Sequence, residues 1–162
     1  MRRAAAFLVL IIGVEAASAS EDAGTRLGRI FGDEAGHWEG ECVMRTPNGV
    51  QTQAAVFDIV SDRPGAHRYR GRYGDAAIAG RSEIEGGTRI DTPEGGGAPT
   101  RAQILSARRT APDDYGYMLR DEAGRTTVTR LGPRQLLVFA PHETPDRPAR
   151  ICTYLRTGPA SR

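Results

Sequence analysis

Short stretches in which apolar and polar residues alternate recur along most of the chain, separated by Gly, Pro, Asn and Asp. A period of two with such breaks is typical of β-strands that bury one face. The connections are short, and no helical pattern separates the strands, which favours an antiparallel barrel or sandwich. We expect an all-β fold, a single up-and-down β-barrel of about 8–10 strands. The strand segments are 37–45, 50–60, 66–73, 76–85, 88–91, 101–108, 115–121, 125–131, 134–140 and 149–157.

The first hairpin leaves one register open. Its turn, Thr46-Pro47-Asn48-Gly49, suits a type I turn with a left-handed glycine. Pro47 cannot donate to the strand ladder, which favours a three-residue loop over a two-residue one. A shift of one residue reverses the faces of a strand. The loop length therefore decides whether Phe57 or Val56 shares a face with Trp38.

The two ends of the predicted barrel carry residue pairs with the same spacing. Trp38 and Cys42 are four residues apart, and so are Cys152 and Arg156. If the two segments pair antiparallel with Trp38 opposite Arg156, Cys42 falls opposite Cys152. Residues four apart on a strand also point to the same face. The spacing predicts that the first and last strands are adjacent and disulfide-linked, and an exported chain with two cysteines favours that bond over two free thiols.

The N-terminus has the pattern of a secretory signal. Arg2 and Arg3 precede an apolar run over 4–14, and the small residues of 17–19 offer a cleavage site. The run is too short for a transmembrane helix, which needs about 20 apolar residues. We therefore expect a periplasmic or secreted protein without a membrane anchor. The expected division is a signal peptide at 1–19, an N-terminal segment at 20–35 with a short helix near 25–31, a β-barrel domain at 36–158 and a tail at 159–162.

The basic residues argue against nucleic acid as a partner. All 22 of them are arginines, and after cleavage their charge nearly balances that of the acidic residues. Arg68, Arg70 and Arg72 alternate with Tyr69 and Tyr73, a composition found in single-stranded nucleic-acid platforms. The strict alternation is what an ordinary half-buried strand shows, with arginines on one face and tyrosines on the other. Export from the cytoplasm also argues against a nucleic-acid partner.

Two motifs resemble the calycin pattern of lipocalins and related barrels. They are Gly36-His37-Trp38 in the first strand and Arg156 in the last, and the continuation through Gly40 resembles the start of bacterial lipocalin-like and nitrobindin-like barrels. The resemblance implies a tryptophan packed at the barrel base, with the arginine covering its ring. Gly36, Trp38 and Arg156, together with Cys42 and Cys152, are thus expected to have structural roles. In the same register Gly40 would face Tyr154 and leave room for a ring.

The sequence gives little support for a metal site or a catalytic site. His37, Glu39 and Glu41 alternate along one strand and share the face opposite Trp38, which invites a metal site. We favour a solvated outer face and assign no metal site. No nucleophile motif and no pair of carboxylates in distinct settings is found. We therefore assign no catalytic residues and no cofactor.

Three functional hypotheses follow. The first is a barrel that binds a small apolar or amphipathic ligand in its interior. The second is a periplasmic protein-binding module, such as a hydrolase inhibitor, that uses the loops 92–100 and 141–148. The third is an enzyme on a lipocalin-like scaffold. A filled interior would favour the second hypothesis, and we expect a monomer in each case. The residues expected to line a ligand cavity are Trp38, Phe57, Tyr69, Tyr73, Tyr117 and Phe139.

Overall fold

The protein forms a closed antiparallel barrel of ten strands, and each strand pairs with its neighbours in chain order. The computed structural model describes residues 22–46, 48–111, 113–141 and 149–160. The predicted signal peptide at 1–19 lies outside the described residues. The prediction of an all-β barrel is confirmed, with ten strands in the predicted order. The elements are α1 (Ala23–Asp33), β1 (Gly36–Thr46), β2 (Gly49–Arg63), β3 (Ala66–Tyr73), β4 (Ala76–Glu85), β5 (Thr88–Pro93), β6 (Thr100–Ala111), β7 (Asp114–Asp121), β8 (Thr126–Leu131), β9 (Gln135–Ala140) and β10 (Ala149–Gly158).

The barrel closes where β1 meets β10, in the register that the spacing predicts. Trp38 lies opposite Arg156, and Cys42 lies opposite Cys152. The two cysteines form a disulfide that joins positions 110 residues apart in the chain. A Cβ atom at Gly40 would overlap the backbone of the facing strand. Only glycine therefore allows the close approach of β1 and β10 at this point.

The β1–β2 hairpin corrects one expectation. Thr46 pairs with Gly49, so the connection has two residues rather than three. The ladder ends at Thr46 and Gly49, so it needs no hydrogen bond from the residues between them. Gly49 has a φ of 119°, which favours glycine at the end of the turn. With this register Trp38 faces Phe57, and both side chains point into the barrel.

Helix α1 closes one end of the barrel, which we call the closed end. Asp22 caps the helix by accepting a hydrogen bond from the Thr25 backbone N–H at 3.0 Å. The helix extends beyond the predicted segment 25–31 because its apolar stripe is well buried against the strands. No helix in the described part of the chain is long and apolar enough to cross a membrane. The buried stripe consists of Leu27, Ile30 and Phe31, each at most 1% exposed.

The opposite end of the barrel, which we call the open end, has no helix across it among the described residues. The C-terminal ends of β1, β3, β5, β7 and β9 lie there, as the antiparallel order requires. Along β3 the predicted alternation is confirmed. Arg68, Arg70 and Arg72 are exposed, whereas Tyr69 and Tyr73 are half-buried and face inward.

Candidate functional site: a cavity inside the barrel

Trp38 organises the closed end of the barrel. Its side chain is fully buried, and its indole N–H donates to the backbone oxygen of Glu34 at 2.9 Å. The Arg156 guanidinium carbon lies 4.7 Å from the indole centroid, and the same group donates to the backbone oxygen of Asp33. A Cβ atom at Gly36 would lie 3.2 Å from the Arg156 side chain, so glycine makes room for it. Arg156 thus covers the indole ring at the closed end of the barrel.

Above this base lies a cavity of about 540 Å³. Ligand sites in proteins commonly measure about 300–1,000 Å³. Polar side chains near the closed end form what we call the floor: Glu34, His67, Arg89, Asp91, Tyr117 and Thr129. The wall is mostly apolar: Phe57, Ile59, Tyr69, Ile78, Ala102, Leu119, Leu136, Val138 and Tyr154. The rim at the open end is polar: Thr100, Arg101, Asp121, Arg125, Thr127 and Arg150.

Three of the six predicted cavity residues line the cavity. They are Phe57, Tyr69 and Tyr117. Phe57 makes an edge-on contact with Tyr154, with ring centroids 4.9 Å apart. Such aromatic pairs stabilise a core beyond the area that they bury. The cavity therefore has a rigid aromatic side, although ligand contact by these residues stays a prediction.

The other three predicted residues lie elsewhere. Trp38 faces inward but is packed beneath the cavity, and Tyr73 faces inward toward Met44, with its hydroxyl 3.8 Å from the Met44 sulfur. The prediction that Phe139 lines the interior is wrong. Phe139 is 43% exposed on the outer face, opposite the equally outward Ile151. The residues before and after Phe139 in the chain point inward instead.

The floor contains a buried carboxyl group that the sequence analysis missed. Glu34, the residue after α1, accepts a hydrogen bond from the Tyr117 hydroxyl at 2.7 Å. Its second carboxyl oxygen lies 3.5 Å from Nδ1 of His67, and both side chains are at most 3% exposed. Burial raises the pKa of Glu34, and burial lowers the pKa of His67 to about 3. Both groups are therefore driven toward their neutral forms.

A salt bridge completes the floor. The Arg89 guanidinium donates to Asp91 at 2.9 Å and to the Ser82 hydroxyl at 3.2 Å. It also lies 5.4 Å from the ring centroid of Phe31, which packs on His67. Burial opposes the charge of Arg89, but Asp91, Tyr117 and Glu34 together outweigh the effect of burial, and the pKa of Arg89 is raised. Because Arg89 and Asp91 cancel each other's charge, the floor is neutral overall when Glu34 is protonated.

The burial of Glu34 predicts a pH dependence of folding. Since its pKa is higher in the folded than in the unfolded state, the folded protein loses stability as the pH rises between those two values. The variant Glu34→Gln keeps an oxygen that accepts the hydrogen bond from Tyr117 but lacks the ionisable carboxyl group. Its stability relative to wild type should therefore rise above about pH 4.5, by at most about 1.4 kcal/mol per pH unit. Urea unfolding between about pH 4 and 8 measures this difference.

Glu85→Gln serves as the matched control, because Glu85 is exposed at a strand end. This variant should follow the wild-type pH profile. A difference between Glu34→Gln and wild type that does not change with pH would contradict a raised pKa at Glu34.

The predicted alternation of His37, Glu39 and Glu41 is found on the outer face. His37 Nδ1 lies 2.8 Å from Asp58, and its Nε2 lies 3.2 Å from Glu39. Glu41 is exposed further along the strand. Among the residues that the structure describes, no group of three or more His, Cys, Asp or Glu side chains is arranged to hold a metal ion. The neighbourhood of His37 is instead a small surface ion-pair cluster.

This cluster predicts a second, smaller pH effect. The hydrogen bond to Asp58, followed by the contact with Glu39, raises the pKa of His37 above 6.5. The contribution of His37 to stability is then fully present below about pH 6.5 and is lost as the pH rises through the folded-state pKa. His37→Gln should destabilise the protein by at most about 1 kcal/mol at about pH 5.5 and by less at about pH 9. Paired denaturation curves test this, and a larger loss at the higher pH would contradict it.

Comparison with known proteins yields no relative: no family model, no curated protein and no solved structure matches this chain. The class of protein is therefore defined by the fold and the cavity. The chain is a closed, ten-stranded antiparallel barrel, consistent with a calycin-like barrel, and it is compatible with ligand binding.

Proposed function

We propose that this protein is an exported barrel that holds one small amphipathic molecule in its interior. The observation that carries the proposal is the cavity of about 540 Å³, which runs from the polar floor to the open end. A barrel built only as a scaffold would fill this space with side chains, because protein interiors are packed to high density. An interior of this size favours ligand binding over the protein-binding hypothesis, for which a filled barrel is expected.

The chemistry of the lining supports an amphipathic ligand rather than a purely apolar one. Wall residues such as Leu119, Leu136 and Val138 offer apolar surface in the middle of the cavity. Burial of a ligand's apolar part against them contributes about 25 cal/mol per Å². The rim and the floor present polar groups that an all-hydrocarbon ligand would leave without partners.

The disulfide supports export to the periplasm or the outside of the cell. Cys42 and Cys152 are both buried and joined across the closing strands. Such bonds persist in oxidising compartments and are rare in the reducing cytosol. This agrees with the predicted signal at 1–19. Of the loops in the protein-binding hypothesis, 92–100 is largely exposed, and most of 141–148 lies outside the described residues.

A cavity-filling substitution tests the proposal. Thr127 lines the cavity near its rim, whereas Val128, the next residue, points to the outer face opposite Phe139. Thr127→Trp should weaken binding of the fluorescent amphipath anilinonaphthalene sulfonate at least about tenfold, which is about 1.4 kcal/mol. The physical reason is that the indole would occupy the space the probe needs. Fluorescence titration of folded protein, checked by circular dichroism, gives the affinities.

Val128→Trp is the matched control and should bind the probe as wild type does. If the probe does not bind wild type, or binds Thr127→Trp equally well, the interior is not its site.

A further inference from the structure

Arg150 is an arginine of the rim that points into the cavity. It lies two residues before Cys152 on β10 and therefore shares the inward face. Its side chain is half-buried, and its Nε atom is buried without a hydrogen-bond partner. None of the ion pairs between described residues includes Arg150. A buried N–H group without an acceptor is costly, so a negatively charged partner at this half-buried guanidinium would be stabilising.

Two other arginines that line the cavity differ from Arg150 in this respect, and a third, Arg101, is exposed to solvent at the rim. Arg125, also at the rim, forms a salt bridge with Asp121, and Arg89 at the floor forms one with Asp91. Their charges are thus balanced within the protein. Among the arginines that line the cavity, Arg150 is the half-buried one for which no ion pair with a described residue is found. An incoming ligand would therefore meet a positive group at the rim and, at the floor, an arginine already paired with an aspartate.

We infer that the ligand is an anionic amphipath whose carboxylate, or a similar monoanionic head group, is bound by Arg150 while its apolar chain extends along the cavity wall toward the floor. This inference rests on the proposed function and adds the charge and the orientation of the ligand. Guanidinium and carboxylate groups match in geometry and form paired, charge-assisted hydrogen bonds. The wall beyond Arg150 continues through Tyr154 and Phe57 and offers the apolar surface that a hydrocarbon chain needs.

Two ligands of equal chain length test the inference. Decanoate and decanol differ only in the head group, so the ratio of their affinities isolates the contribution of the negative charge. By isothermal titration calorimetry we expect the wild-type protein to bind decanoate at least about tenfold more tightly than decanol. In Arg150→Gln this preference should fall to about twofold or less, while the affinity for decanol stays within about twofold of wild type.

Arg45→Gln is the matched control. Arg45 lies near the open end on the outer face of β1, so this variant removes the same charge without changing the cavity. It should keep the wild-type preference for decanoate. The preference should also weaken as salt is added, because a partly exposed charge pair is screened.

The possible failures are distinguishable. If the wild-type protein binds neither compound, the proposed function is wrong. Equal binding of both compounds by wild type would leave the proposed function standing and overturn the anionic head group. The inference is also overturned if Arg150→Gln keeps its preference for decanoate, or if it loses affinity for both compounds alike, because Arg150 would then only shape the cavity.

Discussion

Replacing Trp38 with alanine is expected to lower the free energy of unfolding by about 3–5 kcal/mol, the range for truncating a large buried aromatic side chain. Trp38 has no exposed surface and contacts both Glu34, the residue after α1, and Arg156 of β10. Its loss would leave a void beneath the cavity and an unpaired backbone oxygen at Glu34. The Arg156 guanidinium would lose the ring that it covers, a contact of about 0.5–2 kcal/mol. Urea denaturation followed by far-ultraviolet circular dichroism gives the value.

Two milder variants separate these contributions. Trp38→Phe keeps an aromatic ring and loses the hydrogen bond to Glu34, so its loss should be smaller than that of Trp38→Ala. Arg156→Gln keeps the indole and removes the cation, and its loss should be smaller still. A loss below about 1 kcal/mol for Trp38→Ala would contradict the view that this residue organises the closed end.

Breaking the disulfide should have the second large effect. Cys42→Ala and Cys152→Ala should each lower the free energy of unfolding by about 2–5 kcal/mol, because the bond closes a long loop in the unfolded chain. The two losses should be similar, since either change removes the same bond. The double variant should add little to either single one. Denaturation curves of the three variants, with and without reductant, measure these values.

Reductant supplies the control for this series. It should destabilise the wild-type protein and leave the double variant unchanged. Additive losses in the two single variants would show that the cysteines act independently, and the disulfide would then not be the staple that holds β1 against β10.

The alternation of residues was enough to predict the strands, and one spacing was enough to predict the closure. β3 shows why: its strict alternation of arginine and tyrosine leaves a single choice of faces. The shared spacing of Trp38 with Cys42 and of Cys152 with Arg156 then set the register between the ends of the chain. Local pattern carries this information because strand geometry repeats every two residues.

Which residues of β9 point into the barrel could not be predicted, because this strand shows no alternation of apolar and polar residues. Its sequence is apolar at four successive positions, from Leu136 to Phe139, so no alternation tells the inner face from the outer one. The register against β10 decides it, and that register places Val138 rather than Phe139 opposite Cys152. In the first hairpin, likewise, the turn sequence did not settle the loop length.

The floor of the cavity was missed because its members are far apart in the chain. Glu34 follows the helix, His67 begins β3, and Arg89 and Asp91 lie on β5. Each residue alone resembles an ordinary surface charge, and only closure of the barrel brings them together. One signal was present in the sequence. His67 lies two residues before Tyr69 on β3, so the two side chains point to the same, inward face.

Native mass spectrometry of the mature protein, mixed with a panel of medium-chain carboxylates and alcohols, tests the central claim most directly. We predict one bound molecule per wild-type chain, released on denaturation, and the same adduct on Val128→Trp. Thr127→Trp should appear mainly without an adduct, because its indole fills the cavity. Wild type without any adduct, or adducts of equal abundance on all three proteins, would contradict the claim that the interior of this barrel binds a ligand.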